Sequence, residues 1–116
     1  MIGINRKDKR YFLDRDNPYN VSIQIGSFRQ QKGQIRDISH NGMCIAVNIE
    51  TFLQKQKQYT FKIYGTNDNV ILETTGEIIW NINNEKGKQR LMYYGVEFQN
   101  PIQIPYNIRS YHYVTN

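Results

Sequence analysis

The chain has one cysteine, three prolines and one tryptophan among 116 residues, and these scarcities narrow what it can be. A lone thiol, Cys44, cannot close an intrachain disulfide or anchor a multi-cysteine zinc site, so a reducing setting is the default. The two histidines, His40 and His112, do not form a metal-ligand spacing. No run approaches the roughly 18 apolar residues of a membrane helix, and the first residues lack the pattern of a secretory signal. A cytoplasmic chain without membrane insertion is expected. No acid–base, nucleophilic or metal constellation stands out. Ser39 and His40 are neighbours, but a catalytic pair is defined by three-dimensional geometry rather than by adjacency. The expectation is a protein that is not an enzyme and carries no cofactor.

What is present is 39% apolar residues and a net charge of +5. A chain this short folds as one domain and removes roughly 65% of its unfolded surface from water. The charge is unevenly placed. Residues 1–36 hold eight Lys/Arg against three acidic groups, whereas residues 37–116 hold seven against seven. The excess is densest in "INRKDKRYF", where Arg6 and Arg10 flank Lys7, Asp8 and Lys9 ahead of any expected strand. Such a segment is either a solvated arm or one that meets an anion.

From Pro18 onward the hydrophobic period is two. "VSIQIGSF" places Val21, Ile23 and Ile25 on one face, as in a half-buried strand. A turn is expected at Gln31, Lys32 and Gly33, followed by extended "QIRDI", a tight "SHNG" turn and a strand "MCIAVNI". "ETFLQKQKQ" reads equally as loop or as one helical turn. "YTFKIY" alternates again, "GTNDN" is a turn of residues that tolerate positive φ, and "VILETTGEIIW" is a long strand in which Gly76 marks a bulge or a close approach. "NINNEKGK" reads as a further turn before the last strand, "RLMYYGVEF". Six strands joined by short turns predict an all-β, six-stranded antiparallel barrel. Pro101 and Pro105 end the extended structure, and "YNIRSYHYV" predicts a short C-terminal helix with Ile108 and Tyr111 toward the sheet.

The "RDISHNG" turn contains Asp37, Ser39 and Gly42 in the pattern D-x-S-x-x-G. Asp and Ser side chains bond nearby backbone amides and Gly permits close backbone approach, so a well-made hairpin turn alone would explain them. They also suit a ligand. Arginine grips phosphate or the O6/N7 edge of guanine through paired N–H donors and stacks on bases. A carboxylate such as Asp37 complements the opposite guanine edge. At this composition the co-occurrence of R-x-x-x-R and D/N-x-S-x-x-G arises by chance roughly 0.02 times.

These two motifs, in this order and about thirty residues apart, resemble the PilZ domain family, which binds the bacterial second messenger cyclic di-GMP. "GEIIW" up to Trp80 and "YYGVEF" at 93–98 are similar to later PilZ strands, and a helix after the barrel is also usual. The resemblance implies a mobile N-terminal ligand-binding arm over 1–20, a barrel over 21–100 and a C-terminal tail over 101–116. It assigns Arg6 and Arg10 to the ligand's phosphates and guanine edges, Asp37 and Ser39 to hydrogen bonds with a guanine, and Gly42 to the turn beneath it. Asn5 stands where members often carry another arginine or a hydrophobic residue, a position linked to binding one ligand or a stacked pair. Further candidate contacts are Lys9, His40, Asn41 and Trp80, each with a plainer alternative as an exposed polar group or a half-buried structural aromatic. Cys44 is expected to be an inert, buried thiol. The function implied is a bacterial cyclic di-GMP receptor in single-domain form, which changes conformation on binding and signals through a separate protein partner. Two alternatives stand beside it: a nucleotide-independent PilZ-like interaction module, and, less supported, a small basic barrel that binds nucleic acid.

Overall fold

Val21, Ile23, Ile35, Ile45, Val47, Phe61, Ile63, Ile78 and Tyr94 are all buried, and the strands that carry them close on themselves around these side chains. The computed structural model describes residues 9–14, 17–48, 52–86, 89–111 and 114–115. Its elements are β1 (Arg10–Phe12), β2 (Asn20–Gln24), β3 (Gln30–Ile38), β4 (Gly42–Asn48), β5 (Gln58–Tyr64), β6 (Val70–Lys86), β7 (Gln89–Phe98), α1 (Tyr106–Tyr111) and β8 (Val114–Thr115). The order β2-β5-β6-β7-β4-β3, closed by the β2–β3 pairing, is the expected six-stranded antiparallel barrel. Each fully buried aliphatic or aromatic side chain contributes roughly 1.5–3 kcal/mol. No helix among the described residues is long and apolar enough to cross a membrane.

Two expected turns are strand instead. Gln31, Lys32 and Gly33 lie inside β3, opposite Ile23, Ser22 and Val21. The chain reverses at residues 26–29, where Ile25 N–H donates to the Arg29 carbonyl at 3.0 Å, so the strand expected through Phe28 stops at Gln24. Gly33 serves close packing rather than a turn, since a Cβ there would lie 2.9 Å from the Ala46 carbonyl oxygen. Likewise "NINNEK" continues β6 to Lys86, paired with β7 from Asn81↔Tyr94 to Lys86↔Gln89. Trp80 therefore sits within a strand and not at its end. The continuous ladder to β7 overrides the weak strand preference of asparagine.

Segment 52–57 adopts the loop alternative, with a turn at Lys55–Gln56 and φ of 64° at Gln56. The C-terminal helix forms as expected and buries Ile108 completely, while the Tyr19 hydroxyl donates to the Asn107 carbonyl at 3.1 Å. Two further strands had no counterpart in the sequence reading. β1 pairs with β3 (Tyr11↔Ile38, Phe12↔Asp37), and β8 pairs with β1 (Arg10↔Thr115, Tyr11↔Val114).

Candidate functional site

Arg10 reaches the site because the stretch around it is stitched to β3. Tyr11 packs against the core, which turns its neighbours Arg10 and Phe12 to the outer face. Leu13 N–H donates to the Arg36 carbonyl at 2.8 Å. The buried Asn17 side chain donates to the carbonyls of Asp14 (2.7 Å) and Ile35 (3.0 Å) and accepts from Tyr19 N–H (2.9 Å). Three bonds from one buried amide fix the approach of the segment to the barrel.

Asp37 faces outward because of a bulge. Strict alternation from the buried Ile35 would point Asp37 into the core. The register instead shifts between Ile35 and Asp37, so Arg36 is extra, Asp37 turns out and Ile38 turns in. β6 repeats the device. Its register shifts between Ile78 and Trp80, and Trp80 turns outward beside Gly95. Bulges re-aim side chains in this way and recur beside binding sites. The pairings Phe12↔Asp37, Asp37↔Cys44, Cys44↔Gly95 and Gly95↔Trp80 then line up one row across five strands.

That row floors a cleft of about 300 Å³ lined by Arg10, Asp37, Cys44, Ile79, Trp80 and Gly95, among others. Its volume is at the low end for small-molecule sites, on the order of 300–1,000 Å³. Arg10 Nη1 donates to Asp37 Oδ1 at 2.6 Å, with side-chain exposures of 42% and 16%. Burial pushes the Asp37 carboxyl above its ordinary value, and the Arg10 charge opposes that shift without cancelling it. Burial and the nearby Asp37 charge push the Cys44 thiol up to about 12, so it stays protonated at neutral pH and is a poor nucleophile. A second groove, of about 340 Å³, lies beside Asn20, Lys32, Tyr64 and Asp68. It lacks an arginine and holds no residue of the two motifs, and the cleft on the Asp37 row is the stronger candidate.

Trp80 lies flat on Gly95, and a Cβ at that glycine would fall within the indole ring. Gly95→Val is therefore expected to eject the indole from the cleft. As the chain has one tryptophan, a red-shifted and more quenchable fluorescence emission reports it directly. Unchanged emission would show that Trp80 does not depend on the bare glycine.

The D-x-S-x-x-G residues divide in role. Ser39 is 0% exposed. Its backbone N–H donates to the Gly42 carbonyl at 2.8 Å, and its hydroxyl accepts from Asn41 N–H at 3.3 Å. The hydroxyl is thus engaged inside the turn. Gly42 lies against β7, where a Cβ would collide with the Val96 carbonyl oxygen. His40 and Asn41 are exposed at the tip. His40 Nδ1–H donates to the Ile102 carbonyl at 2.8 Å, and Ile102 N–H donates to the His40 carbonyl at 2.9 Å. Lys9 is exposed just ahead of β1. Asn5 and Arg6 lie outside the described residues. Among the described residues no group of three His, Cys, Asp or Glu side chains is arranged to hold a metal ion. Cys44, Ile79 and Gly95 line the cleft but were not picked out as site residues by sequence, since their place in it follows from register and no local spacing marks it.

Fold and site together define a small closed antiparallel barrel whose N-terminal strand lays an arginine beside the D-x-S-x-x-G hairpin. The chain belongs to the PilZ family: the PilZ domain model matches residues 4–114. It is similar to the PilZ domain of YcgR from Escherichia coli, solved with c-di-GMP, at 16% identity and a TM-score of 0.69 over 91% of this chain and 85% of that one. It is also similar to YcgR from Escherichia coli in complex with c-di-GMP (15% identity, TM-score 0.64, 91% of this chain and 42% of that one). A third similar structure is the Bacillus subtilis inhibitor of motility MotI/DgrA (17%, 0.58, 91% and 47%). The chain spans less than half of the latter two, and at these identities the likeness is one of fold. A comparison with curated proteins gives no match.

Proposed function

We propose that this chain is a cyclic di-GMP receptor whose ligand occupies the Arg10–Asp37–Trp80 cleft. The observation that carries the reading is the 2.6 Å pair between Arg10 and Asp37 at the edge of that cleft. Each member is the natural partner of one half of the ligand. A phosphate replaces Asp37 on Arg10, and the N–H edge of a guanine replaces Arg10 on Asp37. The free protein holds one charge-assisted pair and the complex holds two, so the exchange gains one such interaction, and stacking on Trp80 and contacts from Arg6 add to it. The buried Ser39 acts by holding the turn, and His40 and Asn41 stand at its rim.

A few charge-assisted hydrogen bonds of roughly 1.5–3 kcal/mol each set against the backbone entropy of the residues they order give an affinity of about −8 to −9 kcal/mol, micromolar to submicromolar. The output reaches a protein partner through the surface at β1. Because β8 pairs with Arg10 and Tyr11, ligand held on Arg10 also holds the C-terminal strand.

Calorimetric titration with cyclic di-GMP, with GTP as control, tests the reading and counts the ligands. Absence of heat together with absence of thermal stabilisation at high ligand would overturn it. A nucleotide-independent interaction module is the second reading. It is favoured by two observations: Arg10 and Asp37 already satisfy each other, and the Ser39 hydroxyl is engaged within the turn.

The raised pKa of Asp37 makes binding pH-dependent with a definite sign. Only the ionised carboxylate offers two charged acceptor oxygens to the paired guanine N–H groups. Acidification should weaken binding at a pH where an ordinary aspartate is still ionised, and Asp37→Asn should bind more weakly and lose that dependence. For folding the same shift favours the native state below the ordinary carboxylate value, and this contribution is lost as pH rises through the raised one. Titrations at a series of pH values on both proteins check the first claim, and denaturation midpoints across the same series check the second.

A further inference from the structure

The barrel end opposite the Ser39–Gly42 turn carries two of the three most exposed aromatic residues among the described ones. Strand directions place the β2–β3 turn and the β4–β5 loop together at that end, because β2 and β4 finish there and β3 and β5 begin there. Phe28, at the tip of the β2–β3 turn, is 99% exposed, and Phe52, in the β4–β5 loop, is 70% exposed. A single half-exposed aromatic is ordinary on a protein surface. Two phenylalanines mostly presented to solvent at one end are not, since Phe28 leaves nearly its full apolar area in water and Phe52 most of it.

Their exposure is built rather than slack. The β2–β3 turn is closed by the Ile25 N–H to Arg29 carbonyl bond at 3.0 Å. In the β4–β5 loop, Leu53 N–H donates to the Tyr94 hydroxyl at 3.0 Å, Gln54 N–H to the Tyr59 hydroxyl at 2.9 Å, and Gln56 N–H to the Ile78 carbonyl at 2.7 Å. Leu53 is buried as the inward plug, and Phe52 beside it projects outward. The flanking charges are predominantly positive. Arg29, Lys55 and Lys57 are exposed on these two connections, and Glu50 is the one acidic residue in their sequence.

We propose that this end docks on the surface of an anionic phospholipid bilayer, with Phe28 and Phe52 inserted at the headgroup–acyl boundary and Arg29, Lys55 and Lys57 against the lipid phosphates. Protruding loop-tip aromatics ringed by cations suit a lipid interface, which yields around them. A protein partner would need matching pockets over a standard interface of roughly 800 Å² per side. Binding of this kind combines buried apolar area with attraction to anionic headgroups. The inference does not rest on the proposed ligand cleft, which lies at the other end, so both sites are free to be occupied together.

The test is flotation of the full chain with phosphatidylcholine vesicles, with and without about 30% phosphatidylglycerol. The wild type is expected to float with the anionic vesicles only, less so as salt rises. Phe28→Ser with Phe52→Ser should lower partitioning at least about tenfold with an unchanged circular dichroism spectrum and unchanged cyclic di-GMP titration. Lys55→Gln with Lys57→Gln should lower it while leaving any residual binding less sensitive to salt. Failure of the wild type to float, or equal flotation of the Phe28/Phe52 double variant, overturns the proposal. So does a concentration-dependent dimer that the same two phenylalanine substitutions abolish, which would assign this end to a second copy of the chain.

Discussion

Arg10→Ala is expected to weaken cyclic di-GMP binding at least tenfold, about 1.4 kcal/mol or more, while lowering the stability of the barrel by only about 1 kcal/mol. The asymmetry follows from exposure. The Arg10 side chain is 42% exposed and Asp37 16%, so water replaces much of what Arg10 supplies, and the less exposed Asp37, whose pKa burial already raises, can take up a proton. The ligand's phosphate has no such substitute, and arginine's paired donors match its oxygens in a way that water cannot. Lysine should restore only part of the affinity, because it supplies a point charge without the planar fork. A cycle combining Arg10→Ala with Asp37→Asn separates direct contact from indirect support. If each residue touches its own half of the ligand, the losses should be close to additive after correction for the lost ion pair. If Arg10 only orients Asp37, the double variant should bind no worse than Asp37→Asn alone. Unchanged affinity in Arg10→Ala would remove Arg10 from the binding site altogether. Arg6→Ala, expected to cost a comparable factor, is the parallel test for the other arginine.

The barrel was legible because its signal is repetitive. Val21 and Ile23, then Tyr59, Phe61 and Ile63, point one way at period two, and that alternation is the physical requirement for a sheet with one buried face. The turns were less legible. Glycine and polar residues mark both reversals and close approaches, and Gly33 belongs to the second kind, against the Ala46 carbonyl. Asparagines at 81, 83 and 84 read as a reversal, but the β7 ladder holds them in strand. For the site, the residue types of the two motifs were visible, while the devices that present them were not. Asp37 and Trp80 face outward only because Arg36 and Ile79 are inserted as bulges, and an inserted residue leaves no mark in a hydrophobic pattern except a broken phase. The row that joins Asp37 to Trp80 is a product of register across four strands, β3, β4, β7 and β6. Register is set by long-range pairing, and no local spacing encodes it. The same holds for β1 and β8, each too short to announce itself and each formed only against a neighbour distant in sequence.

Gly42→Ala is expected to destabilise the fold by about 3 kcal/mol or more, the largest effect among the motif residues, and to do so without any ligand present. Glycine at this position reads naturally as room for a base to approach the backbone. Yet the space next to its Cα is already occupied by the Val96 carbonyl oxygen of the paired strand. A flexible side chain could move aside at small cost, whereas a backbone carbonyl within a ladder cannot. Relief requires β4 and β7 to separate where Gly42 pairs with Glu97. That strains the adjoining bonds, Phe98 N–H to the Asn41 carbonyl and Ser39 N–H to the Gly42 carbonyl, both 2.8 Å. Overpacking of a core side chain costs roughly 1–3 kcal/mol, and a clash with fixed backbone that also loosens two hydrogen bonds belongs at or above the top of that range. Urea denaturation of the ligand-free variant measures the effect. A loss of stability accompanied by a matching loss of binding would make Gly42 a structural member of the motif, acting on the ligand through the position of Asp37. Preserved stability with binding abolished would show instead that the missing side chain leaves room for the ligand itself.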